Sequence, residues 1–312
     1  MQSKTKSINI ITTRAITMNL FLKDIVKKLS NKYEVTLICK DPNKLEFKNL
    51  KKKKINFPLE LIEILNLKKL YICIRELYSI ASTNNDLYFI HTPIASIFFR
   101  LVNIFRNIKI LYFVHGYRFH NQKKMIEYLF LIIEYILAFK TKYYININKK
   151  DFQFTKKILK KKTILVNGVG IEISKKRKKI NKKKINKACI ISAYKKEKGY
   201  SIILDHAKKI NYLFPQLKID CYGYGNLTKE FGQFEKSKLT NIRFFKFKKN
   251  IESVIKKYDF LIHPSFREGL PVSIIQCMSL GLPVIGRDIR GVNDLVKNNY
   301  NGLIFKKDSD LL

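Results

Sequence analysis

The sequence predicts an α/β protein made of two blocks with parallel sheets, and three observations carry that prediction. Short apolar runs of strand length alternate with helix-length stretches along the 312 residues. A strongly basic run at residues 175–184 interrupts the alternation and divides it. Beyond it, residues 260–280 join a strand end, a glycine turn and a helix start, a junction that aims free backbone N–H groups at an anionic or hydroxyl-rich ligand.

The elements follow in order. In the first block, β-rich apolar runs predict strands over 8–11, 35–38, 87–90, 109–114, 143–147 and 163–166. Helical stretches lie near 19–29, 95–105, 125–139 and 152–159. The self-repelling lysines of 175–184 form the natural linker, so the expected organisation is a domain over 1–173, a basic linker over 174–187 and a second domain over 188–312. The second block has strands over 188–191, 218–222, 242–245, 260–262, 283–285 and 303–305. Its helix over 272–280 begins with Pro271 at the first turn, where a missing N–H costs nothing.

Composition limits the function classes. The hydrophobic share of 46% supports globular cores, and no apolar run reaches the roughly 20 residues needed to cross a bilayer. The N-terminus leads straight into a strand without a signal-peptide core, which predicts cytoplasmic residence. Cys39, Cys73, Cys189, Cys221 and Cys277 lie far apart and mostly in apolar segments, which predicts buried thiols and neither a disulfide framework nor a metal cluster. The formal charge of +38 invites a nucleic-acid or anionic-lipid partner. Only 10 of the 62 basic residues are Arg, however, and Asn and Ile are also abundant. That pattern fits general compositional bias, leaves attraction to a membrane surface open and disfavours nucleic acid.

The richest segment is His263-Pro264-Ser265-Phe266-Arg267-Glu268-Gly269-Leu270-Pro271-Val272, continuing to Gln276 and followed by Gly281-Leu282-Pro283-Val284. It resembles the nucleotide-sugar signature of GT-B glycosyltransferases of family 4, with its Glu-Gly-x-Pro, a second acid eight residues on and a Gly-x-Pro-Val strand. The resemblance places Glu268 near the donor sugar and phosphates, with Gly269, Leu270, Pro271 and Val272 around them. Gln276 stands where the family has an acid on the ribose hydroxyls; its carbonyl can accept such a bond without charge assistance. Lys198-Gly199 resembles the family's diphosphate-neutralising lysine, but Ser192 or Ala193 occupies the place of the accompanying arginine. A lysine-rich surface turn is the alternative there. Gly223-Tyr224-Gly225 resembles the family's Gly-x-Gly and is equally a tight turn. Arg290 resembles a loop residue close to the donor, and Arg267 is a further candidate phosphate partner or an exposed loop arginine.

In the first block, Thr13, His91 and the pair His115-Gly116 each follow a predicted strand. The resemblance makes them acceptor-side, with His115 orienting the acceptor hydroxyl or contacting the donor sugar; lone histidines are otherwise structural. The glycine-rich loop that relatives carry near Thr13 is absent. Asn167-Gly168-Val169-Gly170 resembles a hinge-side turn, or is a plain one. The apolar segments 97–106 and 125–139 are either helices packed on the first sheet or elements lying in a lipid interface.

The resemblance implies a GT-B fold, two Rossmann-like doubly wound parallel-sheet domains facing across a cleft, without the family's final helices after the last strand. It implies a metal-free, cofactor-free retaining transferase that moves a sugar from a nucleotide-sugar, most simply a UDP-sugar, to a lipid-linked glycan acceptor in capsule or O-antigen assembly. The basic charge and the two apolar segments leave peripheral contact with an anionic membrane open. The rival expectation is an impaired homologue, resting on Gln276, the missing arginine and the missing helices.

Overall fold

The computed structural model describes residues 7–59, 63, 65–81, 86–119, 125–171, 185–232, 239 and 241–311. The chain divides into two compact units, residues 1–170 and 171–312. The lysine run expected as a linker lies outside the described residues, and Lys187, placed at the linker's end, instead opens a strand.

Among the described residues, the first unit carries seven parallel strands. They are β1 (Ser7–Ile11), β2 (Glu34–Cys39), β3 (Lys51–Lys54), β4 (Leu87–Ile90), β5 (Lys109–Val114), β6 (Tyr143–Asn146) and β7 (Lys162–Leu165), in the order β3-β2-β1-β4-β5-β6-β7. The six expected strands are all present. The seventh, β3, consists of four lysines in parallel register with β2, Thr36 opposite Lys51 through Cys39 opposite Lys54. An edge strand needs only its main-chain ladder on one side, and its like charges discourage further pairing on the other.

The helices show where pattern and tertiary structure part. The helix expected over 19–29 is two, α1 (Ala15–Phe21) and α2 (Lys23–Ser30), broken at Leu22, whose side chain is fully buried and whose backbone leaves the helical region at φ −118°, ψ 4°. Helix α3 (Leu67–Ile80), not expected from the sequence, starts where Asn66 accepts from the Lys69 N–H at 3.0 Å. Helices α4 (Pro93–Arg106) and α5 (Met125–Ala138) stand where expected. The stretch 152–159 is instead a short helix α6 (Lys149–Gln153), capped by Asn148, followed by a π-turn over Phe154–Ile158. That turn brings the buried Thr155 hydroxyl within 2.7 Å of Tyr117 Oη and lets it accept from Asn146 Nδ2 at 3.0 Å.

Helix α4 settles one alternative. Ala95, Phe98, Phe99 and Val102 are buried in the first unit's core, so this segment packs on the sheet. Its Arg100 is fully buried. Arg100 Nη1 donates to Glu134 of α5 at 2.7 Å, Nε to Thr141 Oγ1 at 3.0 Å and Nη2 to Tyr144 Oη on β6 at 3.2 Å. The guanidinium carbon lies 4.7 Å from the centre of the Tyr112 ring on β5. One ion pair therefore ties two helices to two strands.

In the second unit the described strands are β8 (Lys187–Ile191), β9 (Lys218–Gly223), β10 (Ile242–Lys246), β11 (Phe260–His263), β12 (Val284–Arg287) and β13 (Gly302–Phe305), all parallel, in the order β10-β9-β8-β11-β12-β13. These are the six strands expected. Helices α7 (Tyr200–Asp205), α8 (Ala207–Leu213), α9 (Leu227–Phe231), α10 (Ile251–Ile255), α11 (Val272–Ser279) and α12 (Val292–Leu295) connect them. All five cysteines are buried free thiols.

Removing one partner of the buried pair leaves an uncompensated charge in the core. Glu134→Ala should destabilise the protein by about 3–5 kcal/mol, whereas replacing both partners by leucine should recover most of the loss. Urea midpoints of the single and double variants check this.

Candidate active site

In each sheet the chain turns back at one point, between β1 and β4 in the first unit and between β8 and β11 in the second. Connections leave such neighbouring strands in opposite directions, so a crevice opens at their C-terminal ends. The residues singled out from the sequence gather at these two points, and each is described within its own unit.

In the second unit, a single 3₁₀ turn (Lys196–Lys198) follows β8 and ends at Gly199, φ +74°. A Cβ at Gly199 would lie 2.1 Å from the Pro264 carbonyl oxygen, so only glycine lets this turn seat against the loop after β11. The Phe266 N–H donates to the Glu197 carbonyl at 2.9 Å and fixes the two loops together. Lys198 Nζ consequently donates to Glu268 Oε1 at 2.7 Å. His263 Nε2 lies 3.2 Å from that same oxygen, a close contact without hydrogen-bond alignment. The buried Ser265 hydroxyl has no hydrogen-bond partner among the described residues. Burial pushes the Glu268 carboxyl up, but the neighbouring His263 imidazole and Lys198 ammonium more than reverse this and hold it at about 2. Glu268 is therefore a carboxylate across the physiological range.

Two arginines support the loop that carries Glu268. Arg290 is buried and its Nε donates to the Glu268 carbonyl oxygen at 3.0 Å. Arg287, at the end of β12, donates from Nε to the Pro264 carbonyl at 3.3 Å and lies 4.6 Å from the centre of the Phe266 ring. Gly291 (φ +76°) touches the same loop, since a Cβ there would sit 2.1 Å from the Gly269 carbonyl oxygen.

Helix α11 begins directly after this loop. Pro271 stands one residue before the helix, not within its first turn, because its backbone is extended at φ −73°, ψ 112°. No side chain caps this end, which leaves it suited to an anion. Gln276, half-buried in α11, and Arg267, half-buried before Glu268, make no side-chain hydrogen bond within the described residues. Leu270 and Val272 are half-buried on either side of Pro271. Gly223 and Gly225 serve close backbone approach between the loops after β8 and β9: a Cβ at Gly223 would lie 2.0 Å from the Ser192 carbonyl, and the Tyr194 N–H donates to the Tyr224 carbonyl at 2.8 Å.

In the first unit, Thr13 and Thr92 clamp the ends of β1 and β4. The Thr13 N–H donates to Thr92 Oγ1 at 3.1 Å, and the two hydroxyls are 2.6 Å apart. Thr92 adopts φ +68°, a conformation that β-branched residues rarely accept. His91 and His115 come together, with His91 Nδ1 3.0 Å from His115 Nε2. Burial pushes His115 down to about 4, and burial together with His115 drives His91 well below its ordinary value, so both rings are neutral at pH 7. Gly116, at φ +132°, supplies the turn after His115. Gly168 and Gly170 likewise occupy left-handed turn positions near the end of this unit.

Two side chains of the site escaped the sequence reading. His263 was visible as the first residue of the signature, but nothing in the pattern pointed it at Glu268. Arg287 closes a short apolar strand, and a cation in that place was the available signal.

With this geometry in view, residues 172–311 match the family model of the glycosyl transferases group 1. The match spans the whole Lys198–Glu268 constellation. An uncharacterized glycosyltransferase of Methanocaldococcus jannaschii is 30% identical over 155 residues, 48% of this chain and 41% of that protein. The UDP-Gal:alpha-D-GlcNAc-diphosphoundecaprenol alpha-1,3-galactosyltransferase of Escherichia coli is 25% identical over 218 residues, 63% of this chain and 56% of that protein. The chain thus spans about half the length of these relatives. Among solved structures, HepE of Anabaena in complex with UDP-glucose superposes with a TM-score of 0.74 at 16% identity, covering 98% of this chain and 87% of that one. The two units are the parallel-sheet α/β domains of the GT-B fold.

Two titrations check the site's electrostatics. A carboxyl whose pKa falls on folding stabilises the protein fully above its unfolded value of 4.5 and loses that contribution as pH drops towards about 2. The stability difference between the protein and Glu268→Gln, at most about 3 kcal/mol, should therefore be constant above pH 5, about the upper edge of that window, and shrink below it, as read by denaturant unfolding. NMR titration of the histidines should show His115 protonating near pH 4, not at 6.5.

Proposed function

We propose that this protein is a retaining glycosyltransferase that transfers a sugar from a UDP-sugar to a hydroxyl of a lipid-linked glycan acceptor in surface polysaccharide assembly. The observation that carries the proposal is the Lys198–Glu268 pair, 2.7 Å apart, at the switch point of a unit that matches glycosyl transferases group 1 and beside the uncapped start of α11. Support for the donor comes from the neighbour solved with UDP-glucose, and for the acceptor from the galactosyltransferase whose name specifies a diphosphoundecaprenol-linked sugar.

The chemistry follows from the groups present. Lys198 supplies positive charge to a diphosphate, and the N–H groups of the first turn of α11 supply dipoles. Glu268 stays ionised and accepts hydrogen bonds from sugar hydroxyls, while its pairing with Lys198 fixes both side chains before the ligand arrives. In the transfer, the bond between the sugar's anomeric carbon and the diphosphate oxygen breaks as the acceptor oxygen bonds to that carbon on the same face. The acceptor proton passes to the departing diphosphate. The neutral His115 of the first unit is suited to accept a hydrogen bond from the acceptor hydroxyl. Lysine in place of a bidentate guanidinium, with Ala193 or Ser192 at the arginine position, gives a weaker clamp on the leaving group.

A second reading, a homologue impaired in turnover, is favoured by Gln276 and by that missing arginine. One measurement separates the two. Thermal unfolding with UDP, UDP-sugars and GDP should show a rise specific for UDP compounds that disappears in Lys198→Ala, because a ligand bound only by the folded state stabilises it by mass action. No rise with any nucleotide in a folded sample would favour the impaired homologue.

A further inference from the structure

Helix α5 is apolar on both faces. Inward it buries Leu137 and Ala138 and points Glu134 at the buried Arg100, while Met125, Leu129, Ile132 and Ile136, with Phe139 just beyond its end, are exposed. The spacing of these five residues puts them on one stripe. Met125 is 91% exposed and Phe139 79%. A helix that only covers a sheet keeps a polar outer face, so the apolar outer stripe calls for a partner beyond the described residues.

The surroundings choose that partner. The stripe ends at the sheet edge where β5 and β6 begin, because Leu111 of β5 pairs with Tyr143 of β6 and the turn after α5 leads straight into β6. Phe105, 81% exposed, reaches the same edge from the end of α4. Asn103 joins the two turns: its Nδ2 donates to the Lys140 carbonyl at 3.2 Å, and its Oδ1 accepts from the Ile108 N–H at 2.6 Å. Lys109 and Lys142 are exposed there and Lys140 is half-buried. Exposed phenylalanines, an apolar helical stripe and lysines at one rim match the boundary between acyl chains and anionic headgroups. A second copy of this chain fits poorly, since each copy carries a formal charge of +38 and would meet its like.

We infer that the outward stripe of α5, with Phe105 and the lysines at its end, is the surface by which this protein lies on an anionic lipid bilayer. For its purpose the inference rests on the lipid-linked acceptor proposed above, but binding is measured without donor or acceptor, so failure of transfer leaves it standing.

The chain contains no tryptophan, which makes a single introduced one a clean reporter. Ile132→Trp on the stripe and Tyr212→Trp, an exposed control on α8, would be mixed with vesicles of phosphatidylglycerol and phosphatidylethanolamine or of phosphatidylcholine alone. Ile132→Trp should shift to the blue and be quenched by brominated acyl chains in the anionic vesicles only, and Tyr212→Trp should not respond. In sedimentation, Leu129→Glu with Ile136→Glu should weaken binding to anionic vesicles about tenfold or more, while Tyr212→Glu with Tyr300→Glu, which adds the same negative charge, should not. Equal weakening by both pairs, pelleting without a response at Ile132→Trp, or no pelleting at all would overturn the inference. A blue shift that grows with protein concentration without lipid would overturn it in favour of a second copy.

Discussion

The constraint on which the site depends is the reversal of strand order between β1 and β4 and between β8 and β11. A parallel strand can be followed only by a right-handed crossover, so the two strands at a reversal send their chains to opposite faces of the sheet. Their C-terminal ends are then left without a covering connection. Every polar residue at these ends must find a partner among the neighbouring loops or remain available to a ligand. In the second unit that produces the Lys198–Glu268 pair, the His263 contact with Glu268, and a Ser265 hydroxyl with no hydrogen-bond partner among the described residues. In the first it produces the Thr13–Thr92 clamp and the His91–His115 contact.

Two ion pairs, Arg100–Glu134 and Lys198–Glu268, show two uses of the same interaction. Arg100–Glu134 is sealed in the first unit and satisfied on several sides by Thr141, Ser96 and Tyr144, an arrangement that fixes how α4 and α5 pack. Lys198–Glu268 is held by loops, with Lys198 partly open to solvent. Arg290 and Arg287 hold the backbone of that loop from beneath. The first pair is buried architecture, whereas the second stands at a strand-end crevice.

Arg100 also constrains α5, because its bond to Glu134 helps fix which face of this helix, apolar on both sides, meets the sheet. The face left outward is an apolar stripe that water disfavours.

Nearly all of the sheet was legible in the sequence, since the strands of parallel sheets carry apolar runs and twelve of the thirteen described strands fall where such runs predict them. The lysine strand β3 was not, because an edge answers to main-chain pairing and no side-chain pattern records it. Glu268, Lys198 and His115 could be chosen from local motifs because turn glycines and strand ends mark their places. That Lys198 meets Glu268, that His91 meets His115 and that Arg287 and Arg290 lie under the signature loop was decided by the fold alone. Those partners are 70, 24 and about 20 residues apart, and only the strand order brings them together. The sequence by itself determined the class of the two units and the chemistry available at their strand ends, because apolar periodicity and turn residues act locally. The pairing of charges and the direction α5 faces were left to tertiary structure, because burial is a property of what packs around a residue and not of the residue itself.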